Sequence, residues 1–372
     1  MKKAIIISCF GWRKGRLEYV DQYLRCQGYE ALQYTADYNH ERKVYIEPEE
    51  GVTPIHVRPY KKNLSFARLY SHYDFSKQVY KLLCEERPDF VYGVIPPNFV
   101  VSACAKYKRK HPESKLVYDI IDMWPESYTA RQIMKLPFKM WASLRDSNLQ
   151  YADHVFTECS LYQSFLPQLK SVSALRLCRD QANFADVPVW DGKVVDIAYL
   201  GSINNIIDIP GIESLIAAIT KHLQVNVHIV GGGESQDAFV NALERAGAKV
   251  HNHGKIFDRP KMQAIIGSCH FALNMMKESV CVGLTIKSMD YFQLGVPLLN
   301  TIKGDTSELL SKYRCGYNVD DIILTTERLR LLDQYEYQQM RNNVQKAFVE
   351  NLTLDAFERS LEEGLNNVLA TQ

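Results

Sequence analysis

The chain has 372 residues, of which 46% are hydrophobic and 23% are charged. This composition is ordinary for a globular protein and excludes a disordered tail, and the length allows two domains with separate cores. The formal net charge is +1, so overall charge does not predict nucleic-acid binding, and attraction to an anionic surface would need a local patch. The nine cysteines include no Cys-x-x-Cys pair, and we expect reduced thiols in a cytoplasmic protein.

The N-terminal segment places two lysines before a short apolar run, as a signal peptide does. The run is too short for that role and meets a basic loop at residues 11–14, so we expect a buried first strand. No other apolar stretch approaches the ~20 residues of a membrane-spanning helix. The sequence therefore predicts no span.

The first predicted strand, Lys3 to Phe10, is followed by a glycine-flanked basic loop and an amphipathic helix from Arg16 to Gln27. This order is typical of a doubly wound domain, whose ligands bind at the carboxyl edge of the sheet. Gly11, Lys14 and Gly15 are therefore candidate ligand contacts. A tight turn with solvated basic side chains would use the same residues.

The rest of the N-terminal half alternates predicted helices and strands. Helices are expected over residues 66–86 and 99–110, and strands over residues 88–95, 115–121 and 154–157. This alternation indicates an α/β domain with a parallel sheet.

The strand at 115–121 leads into the string Asp122-Met-Trp-Pro-Glu-Ser127. Asp122 and Glu126 supply two carboxylates at a strand end and Trp124 supplies an indole, groups that fit a sugar. Asp122 could orient or deprotonate a substrate hydroxyl. In the structural alternative, Trp124 packs the turn and Glu126 caps the next helix.

Residues 130–148 carry Arg131, Lys135 and Lys139 at intervals of four, interleaved with apolar and aromatic residues. Such a stretch can rest on an anionic membrane. A solvated helix face is the alternative, and Pro137 interrupts the helical pattern.

An irregular segment at residues 183–192 is the predicted linker to a second domain. That domain opens with a strand at 195–200, and a glycine run follows another strand at 225–230. Glycines after strands let a helix N-terminus approach a ligand, although a tight turn also uses them. The candidate ligand contacts in the glycine run are Gly231 and Gly233.

The most informative stretch runs from Glu278 to Asn300. A helix is predicted from the N-cap Thr285 to near Gly295, followed by a strand. The first N–H groups of such a helix and its positive dipole end can hold an anion such as a diphosphate. Lys287 adds charge in the first turn, and Asp290, on the same face, could accept hydrogen bonds from ligand hydroxyls. An ordinary surface ion pair is the alternative.

These residues resemble the donor-site helix of retaining glycosyltransferases with the GT-B fold, of the family 4 type. The shared residues are Lys287, Asp290, Gly295 and Pro297. Members that build bacterial surface polysaccharides carry a string similar to residues 122–127. The resemblance spans nearly the whole chain and implies an α/β protein with two Rossmann-like, doubly wound parallel-sheet domains facing across a cleft.

The resemblance also implies roles for individual residues. Asp290 stands where the family has the second Glu of Glu-x7-Glu, while the first position falls on Val282, so Glu278 is the nearby substitute. The implied catalytic set is Asp290, Asp122 and Glu278. The implied donor contacts are Gly11, Lys14, Gly15, Gly201, Ser202, Asn204, Gly231, Gly233, Lys255, Gly283, Leu284, Thr285, Lys287 and Asp290, and the acceptor contacts are Asp122, Trp124 and Glu126.

The chain departs from the family in two places. Residues 203–205 are Ile-Asn-Asn where relatives carry basic residues after the glycine, and Ile121 stands where relatives tend to have a basic residue. Diphosphate binding would therefore depend on backbone N–H groups, Asn side chains and Lys287.

Together these features predict domains at residues 1–182 and 193–352, with a C-terminal helix at 353–372 packing back on the first. The expected function is metal-independent transfer from a nucleotide sugar, with UDP as the expected nucleotide, to a glycan or lipid-linked acceptor. No metal is expected, since no Asp-x-Asp motif is present, and the net charge of +1 gives no reason to expect nucleic acid. No cofactor is expected either. The expected location is cytoplasmic, with membrane contact through 130–148. An inactive binding subunit and a sugar-nucleotide 2-epimerase or hydrolase remain alternatives.

Overall fold

The computed structural model describes residues 1–11, 13–47, 50–128, 135–179, 184 and 186–370. The side chains of residues 13, 14 and 135 lie outside this description, and so does the predicted contact of the Lys14 side chain. The start of the predicted membrane segment, at 130–134, also lies outside it.

The chain divides into two compact units, Met1–Cys178 with Phe357–Gln372, and Arg179–Ala356. The first boundary lies four residues before the expected end at 182. The described part of the expected linker, 183–192, belongs to the second unit.

The first unit contains a parallel sheet whose strand order is β5-β2-β1-β6-β7-β8-β9. The strands are β1 (Lys2–Ser8), β2 (Tyr29–Ala36), β3 (Tyr38–Asn39), β4 (Val44–Tyr45), β5 (Val52–Ile55), β6 (Phe90–Ile95), β7 (Lys115–Ile120), β8 (His154–Thr157) and β9 (Val172–Ala174). The helices in this part are α1 (Glu18–Cys26), α2 (Phe66–Glu86), α3 (Asn98–Lys110), α4 (Lys135–Leu149) and α5 (Ser160–Gln163). Strands β3 and β4 form a separate antiparallel pair.

The second unit repeats this plan with the strand order β12-β11-β10-β13-β14-β15, again parallel. Its strands are β10 (Val194–Ser202), β11 (Gln224–Gly232), β12 (Lys249–Asn252), β13 (Phe271–Asn274), β14 (Leu298–Asn300) and β15 (Gly316–Asn318). Its helices are α6 (Ile209–Ile219), α7 (Gln236–Arg245), α8 (Arg259–Gly267), α9 (Ile286–Gln293), α10 (Asp305–Tyr313), α11 (Ile322–Leu331) and α12 (Gln334–Asn351). The predicted α/β class with two doubly wound parallel sheets is confirmed.

Short polar side chains fix where several helices of the second unit begin. Asp208, Asp258, Asp321 and Asp333 precede α6, α8, α11 and α12, and each accepts a hydrogen bond from a backbone N–H three residues later. These bonds satisfy donors that would otherwise lack partners at the helix start. These four aspartates therefore determine the residue at which each of these helices begins.

The last helix, α13 (Leu354–Ala370), packs within the first unit. Its residues Phe357, Leu361 and Leu365 are buried in one cluster with Leu17 and Val20 beside α1. Burying this apolar stripe against the sheet accounts for the return of the chain to the first unit. Within the described residues, no helix is long and apolar enough to cross a membrane.

The first sheet contains one partner of a buried ion pair, Asp119 of β7, whose other partner is Arg16. Arg16 donates two hydrogen bonds of 2.6 Å to Asp119, and the hydroxyl of Tyr92 donates another of 2.8 Å. The predicted helix from Arg16 to Gln27 instead opens with a π-helical turn, Arg13–Leu17, before α1. Arg16 therefore lies in this turn, which overlaps the candidate loop of residues 11–15.

Candidate functional site

The N-terminus of α9 is the centre of the candidate site in the second unit. Thr285 is its N-cap, as predicted, and forms a reciprocal capping box with Ser288, each side chain accepting the other residue's N–H at 3.0 Å. The next backbone donors, on Ile286 and Lys287, lie at the positive end of the helix dipole. The start of the helix can therefore meet an anion through two backbone N–H groups.

Hydrogen bonds from Thr306 fix the loop before α9. The carbonyl of Gly283 accepts hydrogen bonds of 2.9 Å from both the backbone N–H and the hydroxyl of Thr306. Leu284 is buried in the core. These two predicted donor contacts therefore position the helix start, and Leu284 presents no exposed side chain to a ligand.

Lys287 extends from the first turn of α9 toward the end of β10. Its ammonium group donates a 2.5 Å hydrogen bond to the hydroxyl of Tyr199 and lies 3.5 Å from the carbonyl of Ser202. Burial lowers the pKa of Lys287 to about 7. Among the described residues no carboxylate pairs with it, so an uncompensated positive charge faces this edge of the sheet.

Gly201 and Ser202 complete this corner. Gly201 has a φ of +104°, and a Cβ there would lie 3.3 Å from the Cε of Lys287. The Ser202 carbonyl also accepts a 2.8 Å bond from Tyr199, which links β10 to the lysine. Any larger residue at 201 would be strained in its backbone and crowded against the lysine.

Asp290 has a different neighbour from the one expected. It accepts a 3.1 Å hydrogen bond from the Nε of Arg179, forming a partly buried ion pair. Burial raises the pKa of Asp290, and Arg179 and Arg259 oppose that rise. The surface ion pair between Lys287 and Asp290, which was the structural alternative for this helix, does not form. Lys287 contacts Tyr199 instead, and Asp290 pairs with Arg179.

The glycine run after β11 is explained by packing of the chain on itself. A Cβ at Gly231 would lie 2.0 Å from the carbonyl oxygen of Gly201, and one at Gly233 would lie 2.2 Å from that of Ile203. No side chain fits at either position. Packing alone therefore requires glycine at both positions, and the contact of these glycines with a ligand stays a prediction.

Asn204 and Lys255 contribute less than the sequence suggested. The Asn204 side chain accepts a 3.2 Å bond from the N–H of Ile206, so it shapes its own turn. Lys255 is exposed, and its Cε would lie 3.4 Å from a Cβ placed at Gly232. Lys255 therefore borders the same end of β11.

Glu278 lies in the loop after β13 with a side chain that is 91% exposed, and it pairs with Lys303 at 3.6 Å. Acid–base catalysis benefits from a desolvated carboxyl group. Its surroundings therefore do not single Glu278 out as a catalytic group.

In the first unit, Trp124 is a core residue and not a sugar platform. It is 7% exposed, stacks on His72 and lies beneath the guanidinium of Arg68, 4.5 Å from its ring. Its indole N–H donates a 2.5 Å bond to Asp122, whose pKa is raised by burial. Because its ring faces are covered, Trp124 cannot stack on a sugar in this structure, and its predicted acceptor contact stays a prediction. Asp122 as a residue is partly exposed.

Glu126 is likewise committed to structure. It forms a bidentate pair with the buried Arg145, at 2.8 and 3.1 Å. Arg145 also donates to the carbonyl of Trp124 at 2.6 Å, which ties α4 to this turn. Glu126 therefore forms a structural ion pair with Arg145, and its predicted acceptor contact stays a prediction.

Gly11 and Gly15 both have positive φ, +65° and +80°. No atom lies within 4 Å of a Cβ placed at Gly15, so only backbone conformation favours glycine there. They follow β1 at the carboxyl edge of the first sheet, where they were predicted.

Three site residues were missed from sequence. Tyr199 sits in a buried strand pattern with no polar signal, and Arg179 lies in the irregular segment after β9. Arg68 is on the inner face of α2, 6% exposed, with an Nε that has no partner among the described residues. Only contact between distant segments reveals these three.

The fold was compared with proteins of known structure. No family model matches the sequence, and no curated protein matches it. Sucrose-phosphate synthase of Thermosynechococcus elongatus superposes with a TM-score of 0.66 at 11% identity, over 100% of both chains. The apo lipopolysaccharide outer core galactosyltransferase WaaB gives 0.67 at 13%, over 99% of this chain and 100% of that one. HepE of Anabaena, in complex with UDP and glucose, gives 0.62 at 11%, over 98% and 100%. This likeness shows the fold, which is that of GT-B glycosyltransferases.

Proposed function

We propose that this protein is a glycosyltransferase that moves a sugar from a nucleotide-sugar donor, with UDP as the expected nucleotide, to a glycan or lipid-linked acceptor. The proposal includes retention of anomeric configuration and independence from metal, as the resemblance to the family 4 type implies. It also places the reaction in the synthesis of bacterial cell-surface polysaccharide. The observation that carries the proposal is the ammonium group of Lys287 at the start of α9, which pairs with no carboxylate among the described residues.

The argument from Lys287 is electrostatic. A lysine whose pKa is lowered to about 7 by burial is unstable as a cation until an anion joins it. The adjacent helix N-terminus favours negative charge as well. A diphosphate brings two negative charges and several acceptor oxygens, so it would satisfy the ammonium group and the first N–H groups of α9 together.

The same arrangement would assist the chemical step. As the bond between the anomeric carbon and the diphosphate breaks, the leaving diphosphate gains negative charge, which a fixed cation and helix dipole stabilise. The acceptor hydroxyl oxygen forms the new bond to that carbon, and its proton passes to the departing diphosphate. Asp290, held by Arg179, would accept hydrogen bonds from donor hydroxyls.

The fold comparisons support the choice of nucleotide. HepE structures are described in complex with UDP, UDP-glucose, and UDP and glucose, and an Escherichia coli trehalose-6-phosphate protein is described as bound with UDP-2-fluoro glucose. Proteins with this fold thus bind uridine nucleotides. UDP is accordingly the first ligand to test.

A catalytically inactive binding subunit is the second candidate. Two observations favour it: residues 203–205 supply no basic side chain, and Glu126 and Trp124 are engaged in structural contacts. Such a subunit would bind a nucleotide or glycan without transfer. A 2-epimerase or hydrolase would instead release nucleotide in the absence of an acceptor.

A lipid-linked acceptor would bring the protein to the inner face of the plasma membrane. The proposed contact is the basic segment 130–148, whose described part is α4. A cytoplasmic location with peripheral membrane contact is therefore part of the proposal.

The first experiment is thermal unfolding with UDP, GDP, ADP, TDP and CDP, each with and without EDTA. A ligand that binds only the folded protein raises its stability by RT ln(1 + [L]/Kd). We expect one diphosphate to raise the melting temperature equally with and without EDTA. Lys287→Ala should abolish that shift, whereas Lys303→Ala, an exposed lysine after β14, should retain it.

The outcomes separate the candidates. No shift with any diphosphate contradicts a nucleotide-sugar site. A shift that EDTA abolishes contradicts metal independence. A shift without sugar transfer to any lipid or glycan fraction favours the binding subunit, and nucleotide release without acceptor favours an epimerase or hydrolase.

A further inference from the structure

Large apolar side chains gather on the outside of the first unit. On α2, Phe66, Tyr70 and Tyr73 are spaced four and three residues apart, so they share one helix face, and they are 91%, 47% and 50% exposed. On α4, Leu136 and Met140 are 70% and 64% exposed. Contiguous exposed apolar residues mark contact with a partner or a membrane more often than chance.

These residues belong to one surface. Helices α2, α3 and α4 lie side by side. The ring of Tyr73 lies 5.8 Å from that of Phe99 at the start of α3, and Leu64 and Trp141 line the same small cavity between the start of α2 and α4. We call this surface the α2–α4 face, and define it by Leu64, Phe66, Tyr70, Tyr73, Leu136 and Met140.

The face is not an unfinished part of the core. The other side of α2 already buries Phe75 and Val79 completely, and the other side of α4 buries Phe138 and Arg145. Both helices therefore present apolar residues on two sides. An amphipathic helix in a soluble protein needs only one such side.

The charge around the face is mostly positive, with Asp74, partly exposed next to Tyr73, as a carboxylate at its edge. The sequence has no Asp or Glu from Gly51 to Tyr73 or from Ser127 to Arg145. Lys61, Lys62 and Lys139 are exposed, and none pairs with a carboxylate in the part of the chain that the structure describes. On a protein whose net charge is +1, this is a local basic patch.

We propose that the α2–α4 face rests on the surface of an anionic bilayer. Its Phe, Leu and Met side chains would enter the boundary between headgroups and acyl chains, its tyrosines would lie at headgroup level, and its lysines would contact lipid phosphates. Charge complementarity and the exposed Phe, Leu and Met side chains together favour an anionic bilayer over a protein partner, since the exposed lysines of the face would meet lipid phosphates. The inference deepens the proposed function, on which it rests for its role, by naming the surface that meets a lipid-linked acceptor.

The position of the face agrees with that role. Helices α2 and α3 begin where the chain leaves the carboxyl ends of β5 and β6, and Asp122 follows β7 at the same edge. Parallel strands bring these ends together. A membrane under the face would therefore lie on the side of the first unit where Asp122, a partly exposed residue, follows β7.

The test is co-sedimentation of the full chain with vesicles. Pure phosphatidylcholine vesicles are compared with vesicles containing about one third phosphatidylglycerol, at low and at high salt. We expect binding to the anionic vesicles that weakens with salt. The double variant Lys61→Glu/Lys62→Glu should reduce it at least about tenfold, and Phe66→Ser/Met140→Ser should reduce it severalfold.

Matched controls come from the second unit. Phe257 is 92% exposed, so Phe257→Ser tests the loss of an exposed phenylalanine elsewhere. Lys221→Glu/Lys249→Glu tests the same charge change at two other exposed lysines. Both controls should bind vesicles as the unchanged protein does.

Three results would overturn the inference. The first is no binding of the unchanged protein to anionic vesicles, which would leave a protein partner as the occupant of the face. The second is vesicle binding by the face variants that equals binding by the unchanged protein. The third is a loss of binding in the control variants as large as in the face variants. Stabilisation of the face variants by nucleotide is measured in parallel, so failure of vesicle binding and failure of the donor site are distinguished.

Discussion

The ammonium group of Lys287 lies 4.0 Å from the centre of the Tyr199 ring and donates a hydrogen bond to the hydroxyl of the same residue. Tyr199 belongs to β10 and Lys287 to α9, so 88 residues of sequence separate them. The ring restricts the lysine, and its face attracts the cation. This contact places one positive charge at the start of α9 before any ligand arrives.

The pKa of Lys287 predicts how donor binding depends on pH. In the empty site the pKa is about 7, and a bound diphosphate would raise it, so binding above pH 7 takes up a proton. The association constant for UDP-glucose should therefore fall as pH rises above 7, by up to about tenfold per pH unit. Calorimetric titration across this range measures it. Lys287→Arg, which stays charged, should bind with little pH dependence, and an identical slope in both proteins would contradict the assignment.

The same pKa predicts the stability of the empty protein. The pKa of Lys287 falls from 10.5 in the unfolded chain to about 7 in the folded protein. Protonation of this lysine therefore favours the unfolded chain. Lys287→Met should raise the melting temperature most below pH 7, and the gain should shrink as pH rises from 7 toward 10.5, because the unfolded lysine then loses its proton too. Thermal unfolding of both proteins at a series of pH values measures this gain, and one that grows with pH would have the wrong sign.

Tyr199→Phe should weaken nucleotide-sugar binding about threefold to tenfold. The substitution removes the hydrogen bond that positions the Lys287 ammonium group and the bond to the carbonyl of Ser202, and we expect the poorer positioning of the lysine to cost about 0.7–1.4 kcal/mol of binding free energy. The ring remains, so the fold should persist. Tyr317→Phe, also on a strand of the second unit, is the control and should leave affinity unchanged. Equal affinities of Tyr199→Phe and the unchanged protein would remove Tyr199 from the site.

Glu126→Gln should cost about 1–3 kcal/mol of unfolding free energy. The change leaves Arg145, which is 0% exposed, without its bidentate carboxylate, although Asp146 and the Trp124 carbonyl remain. Glu327→Gln, in an exposed pair with Arg330, should cost at most about 1 kcal/mol. Denaturant unfolding compares the two, and a stable Glu126→Gln protein with lost acceptor binding would support the contact predicted from sequence.

Gly231→Ala should destabilise the protein by about 3 kcal/mol or more. Its Cβ would collide with the carbonyl oxygen of Gly201, and φ is +154°. Gly254→Ala also has a positive φ, +66°, but no atom lies within 4 Å of its Cβ, so it should cost only about 1–2 kcal/mol. Urea unfolding midpoints test the difference. Similar costs would show that backbone conformation alone, without the close approach, explains the glycine at 231.

Local signals account for the features that were predicted well. The alternation of strands and helices reports the parallel sheets, because a buried strand and an amphipathic helix each have their own apolar period. Thr285 with a small polar residue three positions on marks the start of α9. The return of residues 354–370 to the first unit required the family resemblance as well.

Several predicted site residues have structural partners that are distant in the sequence. Trp124 and Glu126 had the chemistry of a sugar site, but His72, Arg68 and Arg145 cover or pair with them. Gly231 had the pattern of a ligand loop, but it accommodates the backbone of β10. No local pattern contains those partners.

The sequence by itself determined the two parallel sheets, the helix start at Thr285 and the identity of Lys287 as its cation, because propensity, capping and apolar period act over a few neighbouring residues. Tertiary structure decided which charged side chains form ion pairs and which do not. It paired Asp290 with Arg179 and Glu126 with Arg145, and left Lys287 beside Tyr199 with no carboxylate among the described residues. Ion pairing and burial depend on contacts between segments far apart in the chain, so only the folded protein assigns them.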